Sequence, residues 1–109
     1  MLREAAIYIP LRDRAGKATE IYRKALTDRL IGAFGPVYVT DSEQWSVDSN
    51  GRTVHEAFKL FTVIDNGAPG IQEIAADVAK ALDLDSITYR HGDGEVIRMS
   101  RDQWEALTF

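Results

Sequence analysis

The sequence predicts one α+β domain with a split β-α-β order, and three observations support this. Residues 34–64 read as one long ribbon folded back on itself at Asn50-Gly51. Two segments, 17–34 and 71–82, repeat their apolar residues at helical spacing. Short apolar runs at 5–11, 87–90 and 95–99 supply the remaining strands.

In chain order, Ala5 to Leu11 is apolar and partly β-branched, so Ile7 and Ile9 point to one face and Tyr8 to the other. Pro10 has no amide to donate and should end the strand. A polar loop from Arg12 to Gly16 leads into the first helix, where Tyr22, Leu26, Leu30 and Phe34 recur every fourth residue beside Ile21 and Ala25. Gly35-Pro36 stops it, since glycine accepts a cap conformation and proline cannot continue a helix. Asn-Gly favours a two-residue turn. That turn would set Trp45 against Glu56, Ser46 against His55 and Val47 against Val54 unless a bulge shifts the count.

Pro69 suits the first turn of the second helix, whose stripe is Ile71, Ile74, Ala75, Val78 and Leu82. Two short strands follow, joined by His91 to Gly94. Ser100 and Gln103 have capping-box spacing for a short last helix carrying Trp104, Leu107 and Phe109. The resulting order, β-α-β-β-α-β plus one strand and a tail helix, is the ferredoxin-like arrangement over residues 1–109. Both long helices would cover one sheet face. The other face, with Tyr38, Phe61 and Val63 on it, would then need a cover. A homodimer through that face is the expectation, with the C-terminal helix as the alternative cover.

Composition narrows the function classes. The chain is 45% hydrophobic and 28% charged, an ordinary globular balance. It has no cysteine, which excludes thiolate catalysis and thiolate metal sites. Net charge is −4 and no Lys/Arg block exceeds two residues, which disfavours nucleic acid as a partner. Residues 1–30 carry seven Lys/Arg against four Asp/Glu, while residues 61–109 carry four against nine. No stretch approaches the ~18 apolar residues of a membrane span. A cytoplasmic protein without cofactor, metal or membrane contact is expected.

No nucleophile motif or phosphate loop is present, so the candidate sites are small clusters. Tyr89, Arg90, His91, Asp93 and Glu95 place a phenol, a cation, an imidazole and two carboxylates within seven residues. His91, Tyr89 and Glu95 could therefore work as acid–base groups, or simply make a wet strand connection. His55 is a second candidate, set across from Ser46, but without an orienting third group. Arg12, Arg14 and Lys17 could hold a phosphate or carboxylate near the first helix. Trp45, flanked by polar residues and accompanied by Val47 and Val54, has the character of a partner anchor on the hairpin arm.

The run of Phe34-Gly35, an apolar strand, Trp45, Gly51, Glu56 and a second apolar strand resembles a pattern in uncharacterised small bacterial ferredoxin-like proteins. Those families often carry glycine two residues before the tryptophan, where this chain has Glu43. The order of elements is also similar to that of the nitrogen-regulatory PII signalling proteins. Both resemblances imply a fold and no activity. The expected function is a non-enzymatic homo-oligomeric regulatory module that binds protein through arm 43–56, such as an accessory protein or a phage- or plasmid-type inhibitor of a host factor. Two alternatives are a small dimeric enzyme with its acid–base site in a sheet–helix cleft, and a sensor of small anions.

Overall fold

The computed structural model describes residues 3–65 and 70–106. Strand β1 (Arg3–Pro10) leads through a loop to helix α1 (Glu20–Phe34), and β2 (Val37–Val47) and β3 (Thr53–Asp65) form the long hairpin. Helix α2 (Ile71–Ala81), strands β4 (Ser86–Arg90) and β5 (Val96–Ser100) and helix α3 (Arg101–Glu105) complete the chain. One antiparallel sheet holds all five strands in the order β2-β3-β1-β4-β5. The first four follow the expected split β-α-β order, and β5 extends the sheet beyond β4.

The core lies between the sheet and the two long helices. Ile7 and Ile9 of β1, Phe61 and Val63 of β3, and Ile87 and Tyr89 of β4 point to that side, where Leu26, Leu30 and Phe34 of α1 meet them. Helix α2 adds the whole expected stripe, Ile71, Ile74, Ala75, Val78 and, just past its end, Leu82. Burying each of the larger aliphatic side chains stabilises the fold by roughly 1.5–3 kcal/mol. Arg29 pairs with Asp77 at 2.9 Å and ties the two helices together at their surface. Pro69, expected in the first turn of α2, lies outside the described residues.

Several expectations need correction. Helix α1 begins at Glu20 rather than at residue 17, because residues 11–19 close a loop of their own. Arg12 bridges to Ala18, and the backbone N–H of Thr19 reaches the carbonyl of Leu11. The Thr19 hydroxyl, 2% exposed, donates to the carbonyl of Pro10 at 2.7 Å. Ile21, placed beside the buried stripe by its spacing, is 89% exposed.

The hairpin register is shifted by one residue. Trp45 faces His55, Ser46 faces Val54 and Val47 faces Thr53. The turn has three residues, Ser49 to Gly51, closed by Asp48 and Arg52. The N–H of Gly51 donates to the carbonyl of Asp48 at 3.0 Å, and Asp48 Oδ1 accepts from the N–H groups of Asn50 and Arg52 at 2.9 Å each. Gly51 alone takes positive φ, at 77°, which marks a type I turn followed by a bulge. Because side chains alternate, this slip regroups the base of the ribbon. Val37, Val39, Phe61 and Val63 share the helix side, while Tyr38, Leu60 and Ile64 take the other side.

The last helix differs as well. Its capping box forms as expected, with Gln103 Oε1 accepting from the Ser100 N–H at 2.7 Å. Trp104, 1% exposed, joins the same core as the long helices. The described part of α3 therefore does not cover the second sheet face, and Leu107 and Phe109 lie outside the described residues. Among the described residues, that face has no helix over it.

Candidate active site

Strand alternation decides what the helix-free face displays. Directly opposed residues of an antiparallel ladder point to the same side, so the strand register lists the face row by row. One row runs Thr40, Leu60, Tyr8, Thr88, Arg98, and the next runs Ser42, Phe58, Pro10. Beyond these, Gln44 faces Glu56 on the hairpin arm. The Tyr8 and Phe58 rings meet edge to face, with centroids 6.3 Å apart.

A groove of about 260 Å³ opens along these rows. Its floor is Tyr8, Phe58 and Thr88, and its charged rim is Arg12, Asp13, Arg14, Glu56, Asp85 and Arg98. The rim thus carries three guanidinium groups and three carboxylates, a lining with no net charge. A second hollow shares Tyr8, Gln44, Phe58 and Thr88 and continues toward Ser42, Glu43 and Val96. The site therefore has an aromatic part, with the single carboxylate of Glu43 at its edge, and a zwitterionic part.

Local bonding fixes the rim. Asp13 Oδ1 accepts from the N–H groups of Ala15 and Lys17 at 2.9 Å each, which sets the loop that carries Arg12 and Arg14. Arg12 donates to the carbonyl of Gly16 at 3.0 Å, and Arg14 approaches Asp85 at 3.3 Å. Across the floor, Arg98 Nε donates to the Ser86 hydroxyl at 3.2 Å. Behind the rim, Arg101 reaches Asp83 at 2.8 Å and the carbonyl of Leu84 at 2.9 Å. The hydrogen bond from Arg101 holds the Asp83 carboxyl below its ordinary value.

The expected site residues separate into three places. Arg12 and Arg14 line the groove, so the basic loop is where a charged ligand would be met. Lys17 instead closes its own loop: its carbonyl accepts from the Asp13 N–H at 2.8 Å, and its own N–H donates to Asp13 Oδ1. Tyr89, His91 and Glu95 sit at the far end of β4, around the turn to β5. There Tyr89 is 2% exposed inside the core, with His91 edge-on at 5.2 Å. Burial pushes the Tyr89 phenol up from its ordinary value, and the Glu95 carboxylate adds to this. The turn is closed by the His91 N–H donating to the Glu95 carbonyl at 2.9 Å.

His55 lies on the arm, stacked on Trp45 with Glu43 at 3.4 Å. The Ser46–His55 opposition expected of a two-residue turn does not exist, because Ser46 faces Val54. Trp45, Val47 and Val54 are 65%, 68% and 39% exposed. The two histidines stay apart, and no group of three His, Asp or Glu among the described residues could hold a metal ion. Among the described residues, no helix is long and apolar enough to cross a membrane.

The groove residues that sequence reasoning missed are Tyr8, Gln44, Glu56, Phe58, Asp85, Ser86, Thr88 and Arg98. Except for Asp85, which precedes β4, their signal was the off-phase position in each strand, where polar or aromatic side chains alternate with the core-facing ones.

No family model and no curated protein matches the chain. Its fold matches that of a phage SAM lyase in complex with S-methyl-5′-thioadenosine, with a TM-score of 0.64 and 15% identity over 93% of this chain and 91% of that one. The phage SAM lyase in the apo state matches with a TM-score of 0.58 and 15% identity, over 91% and 89% of the two chains. Both structures are of an enzyme. This overturns the expectation of a non-enzymatic module acting through arm 43–56 and favours the alternative of a small α+β enzyme. The groove, however, lies on the helix-free sheet face rather than in a sheet–helix cleft.

Proposed function

We propose that the chain is a lyase acting on a sulfonium nucleoside of the S-adenosylmethionine type and releasing its methylthio-nucleoside. The observation that carries this reading is the divided groove. An aromatic floor beside a zwitterionic rim suits a ligand with a flat nucleobase at one end and an amino acid at the other. The shared fold with a SAM lyase supports the same assignment.

The chemistry suits a groove lined without histidine. When the bond between sulfur and the amino-acid chain breaks, its electron pair returns to a positively charged sulfur, which leaves as a neutral thioether. No acid has to protonate that leaving group. The carbon left behind is closed by the carboxylate of the substrate itself, forming a five-membered ring, so no external base is needed either.

The work of the protein is then to fold the substrate into that geometry and exclude water, which is catalysis by orientation. Tyr8 and Phe58 would take the base and face the sulfonium, a cation that aromatic rings attract. Glu56 would add charge attraction from the arm, and Arg12, Arg14 and Arg98 would receive the carboxylate end. At about 260 Å³ the groove is somewhat smaller than the ~300 Å³ at which enclosed small-molecule sites begin. A second copy of the chain seated on the open face would supply the missing wall, in line with the self-association expected from the sequence. Light scattering across micromolar concentrations tests that part.

The activity itself is tested by incubating the protein with S-adenosylmethionine and following methylthioadenosine by chromatography. Release should be protein-dependent and should fall at least about tenfold in Tyr8→Ala, the order of loss expected when a base-stacking ring is removed. Absence of release, together with no binding of methylthioadenosine in calorimetry, would overturn the assignment.

A further inference from the structure

Asp85 stands between two arginines that belong to different parts of the molecule. Its Oδ1 is 3.3 Å from Arg14 on the loop after β1 and 3.9 Å from Arg101 at the start of α3. Arg14 lines the groove and Arg101 does not. Arg101 is already committed to Asp83 at 2.8 Å, to the Leu84 carbonyl at 2.9 Å and to Glu105 at 3.9 Å, so it is held in place from several sides. Among the described residues Arg14 has no comparable anchor, and its guanidinium meets the carboxylate of Asp85 at the groove mouth.

We propose that Asp85 is a resident stand-in for the ligand carboxylate. It holds Arg14 until a carboxylate-bearing ligand arrives, and then passes to Arg101. This inference rests on the lyase reading above and adds to it the residue pair that selects ligands by their carboxylate. The exchange is cheap because both partners are largely exposed, with side-chain accessibilities of 57% and 73%, and exposed ion pairs contribute little to stability. The second arginine matters because it gives the displaced carboxylate somewhere to go, so it is not left facing the incoming one. One ligand oxygen held by Arg14 leaves the other free for the ring closure.

Selectivity follows from this exchange. A ligand without a carboxylate cannot displace Asp85 and gains nothing from Arg14. A ligand with one makes a charge-assisted contact that replaces a weaker solvated pair.

The test uses calorimetry with three probes. S-Adenosylhomocysteine has the carboxylate and lacks the cleavable sulfonium, its decarboxylated analogue keeps only the amine, and methylthioadenosine has neither. Arg14→Gln should weaken S-adenosylhomocysteine roughly ten- to hundredfold, the usual range for a lost hydrogen bond to a charged group. It should leave the other two probes unchanged. Asp85→Asn should tighten S-adenosylhomocysteine binding alone. Arg101→Gln should weaken it although that side chain is outside the groove.

Equal effects of Arg14→Gln on all three probes, or weaker binding of S-adenosylhomocysteine in Asp85→Asn, would overturn the proposal. If wild type binds methylthioadenosine and these substitutions do not alter discrimination, the exchange fails and the lyase reading stands. If wild type binds none of the probes, both fail. Should Arg14→Gln not fold, the direction of the Asp85→Asn change decides.

Discussion

Trp45 lies flat against His55, with ring centroids 4.2 Å apart and ring planes 26° from parallel. The stack exists because the hairpin closes over three residues. A two-residue turn at Asn50-Gly51 would have put Glu56 in front of the indole. The pair stands on the outer arm, outside the lining of the groove, where the ribbon packs against no described helix.

Trp45→Ala should therefore leave the fold and the groove intact. Its expected cost is about 0.5–1.5 kcal/mol, the usual worth of an aromatic pair beyond its buried area. Urea unfolding measures the cost, and unchanged methylthioadenosine binding shows that the groove is untouched. A large loss of ligand affinity would mean that the arm folds back over the site.

Gly51 is the position on which the register depends. A side chain at φ 77° meets the steric cost of the left-handed region, about 1–2 kcal/mol. Gly51→Ala should lower the urea midpoint accordingly, while Asn50→Ala, with ordinary backbone angles, should cost less. If Asn50→Ala proved the more damaging, the turn would have to be the two-residue form after all.

The contrast between the two tryptophans provides a third measurement. Trp104 is 1% exposed in the main core, whereas Trp45 is 65% exposed. Trp104→Ala should cost about 3–5 kcal/mol, the range for deleting a large aromatic from a core. Fluorescence should show one blue-shifted and one solvent-exposed emitter, each lost in the corresponding variant.

Acid stability has a definite sign at Asp83. Its hydrogen bond from Arg101 lowers its carboxyl below the ordinary value of 3.8. The contribution of this pair is therefore complete above about pH 3.8 and disappears as pH falls through the lower native value. Asp83 also holds positive φ, at 52°, which asparagine tolerates. Asp83→Asn should thus lower the urea midpoint at pH 7, and by progressively less as pH falls below about 3.8. An equal loss across that whole range would show that the backbone, not the charge, is responsible.

Much of the fold was legible in the sequence because its signals were local and mutually consistent. The stripe from Ile71 to Leu82, the Gly35-Pro36 stop and the Ser100–Gln103 box each name one structure. The hairpin register was less legible, since Asn-Gly serves both a two-residue turn and the last two positions of a three-residue one. The bonds from Asp48 choose between them only once the backbone is closed. Helix α1 was read three residues too long because the competing partner of Thr19 is Pro10, nine positions away.

The site was harder still. Arg12 and Arg14 could be singled out because they crowd one loop. Tyr8, Phe58 and Glu56 could not, because they become neighbours only when β1 and β3 pair. Concentrated clusters such as Tyr89 to Glu95 attract attention in a sequence, yet here that cluster makes a turn. A groove assembled from alternate side chains of several strands leaves no such cluster.

That construction also has a consequence for how the protein can change. On β1, Ile7 and Ile9 belong to the core and Tyr8, between them, belongs to the groove, and the same interleaving runs through β3 and β4. Substitutions at groove positions can rewrite ligand preference while the adjacent core residues stay as they are. Insertions and deletions have no such freedom. Removing one residue from the middle of β1 would turn an aromatic groove floor into the helix interface and expose two isoleucines to the ligand. Lineages descended from this chain should therefore vary in groove chemistry at constant strand length, with length changes confined to the turns.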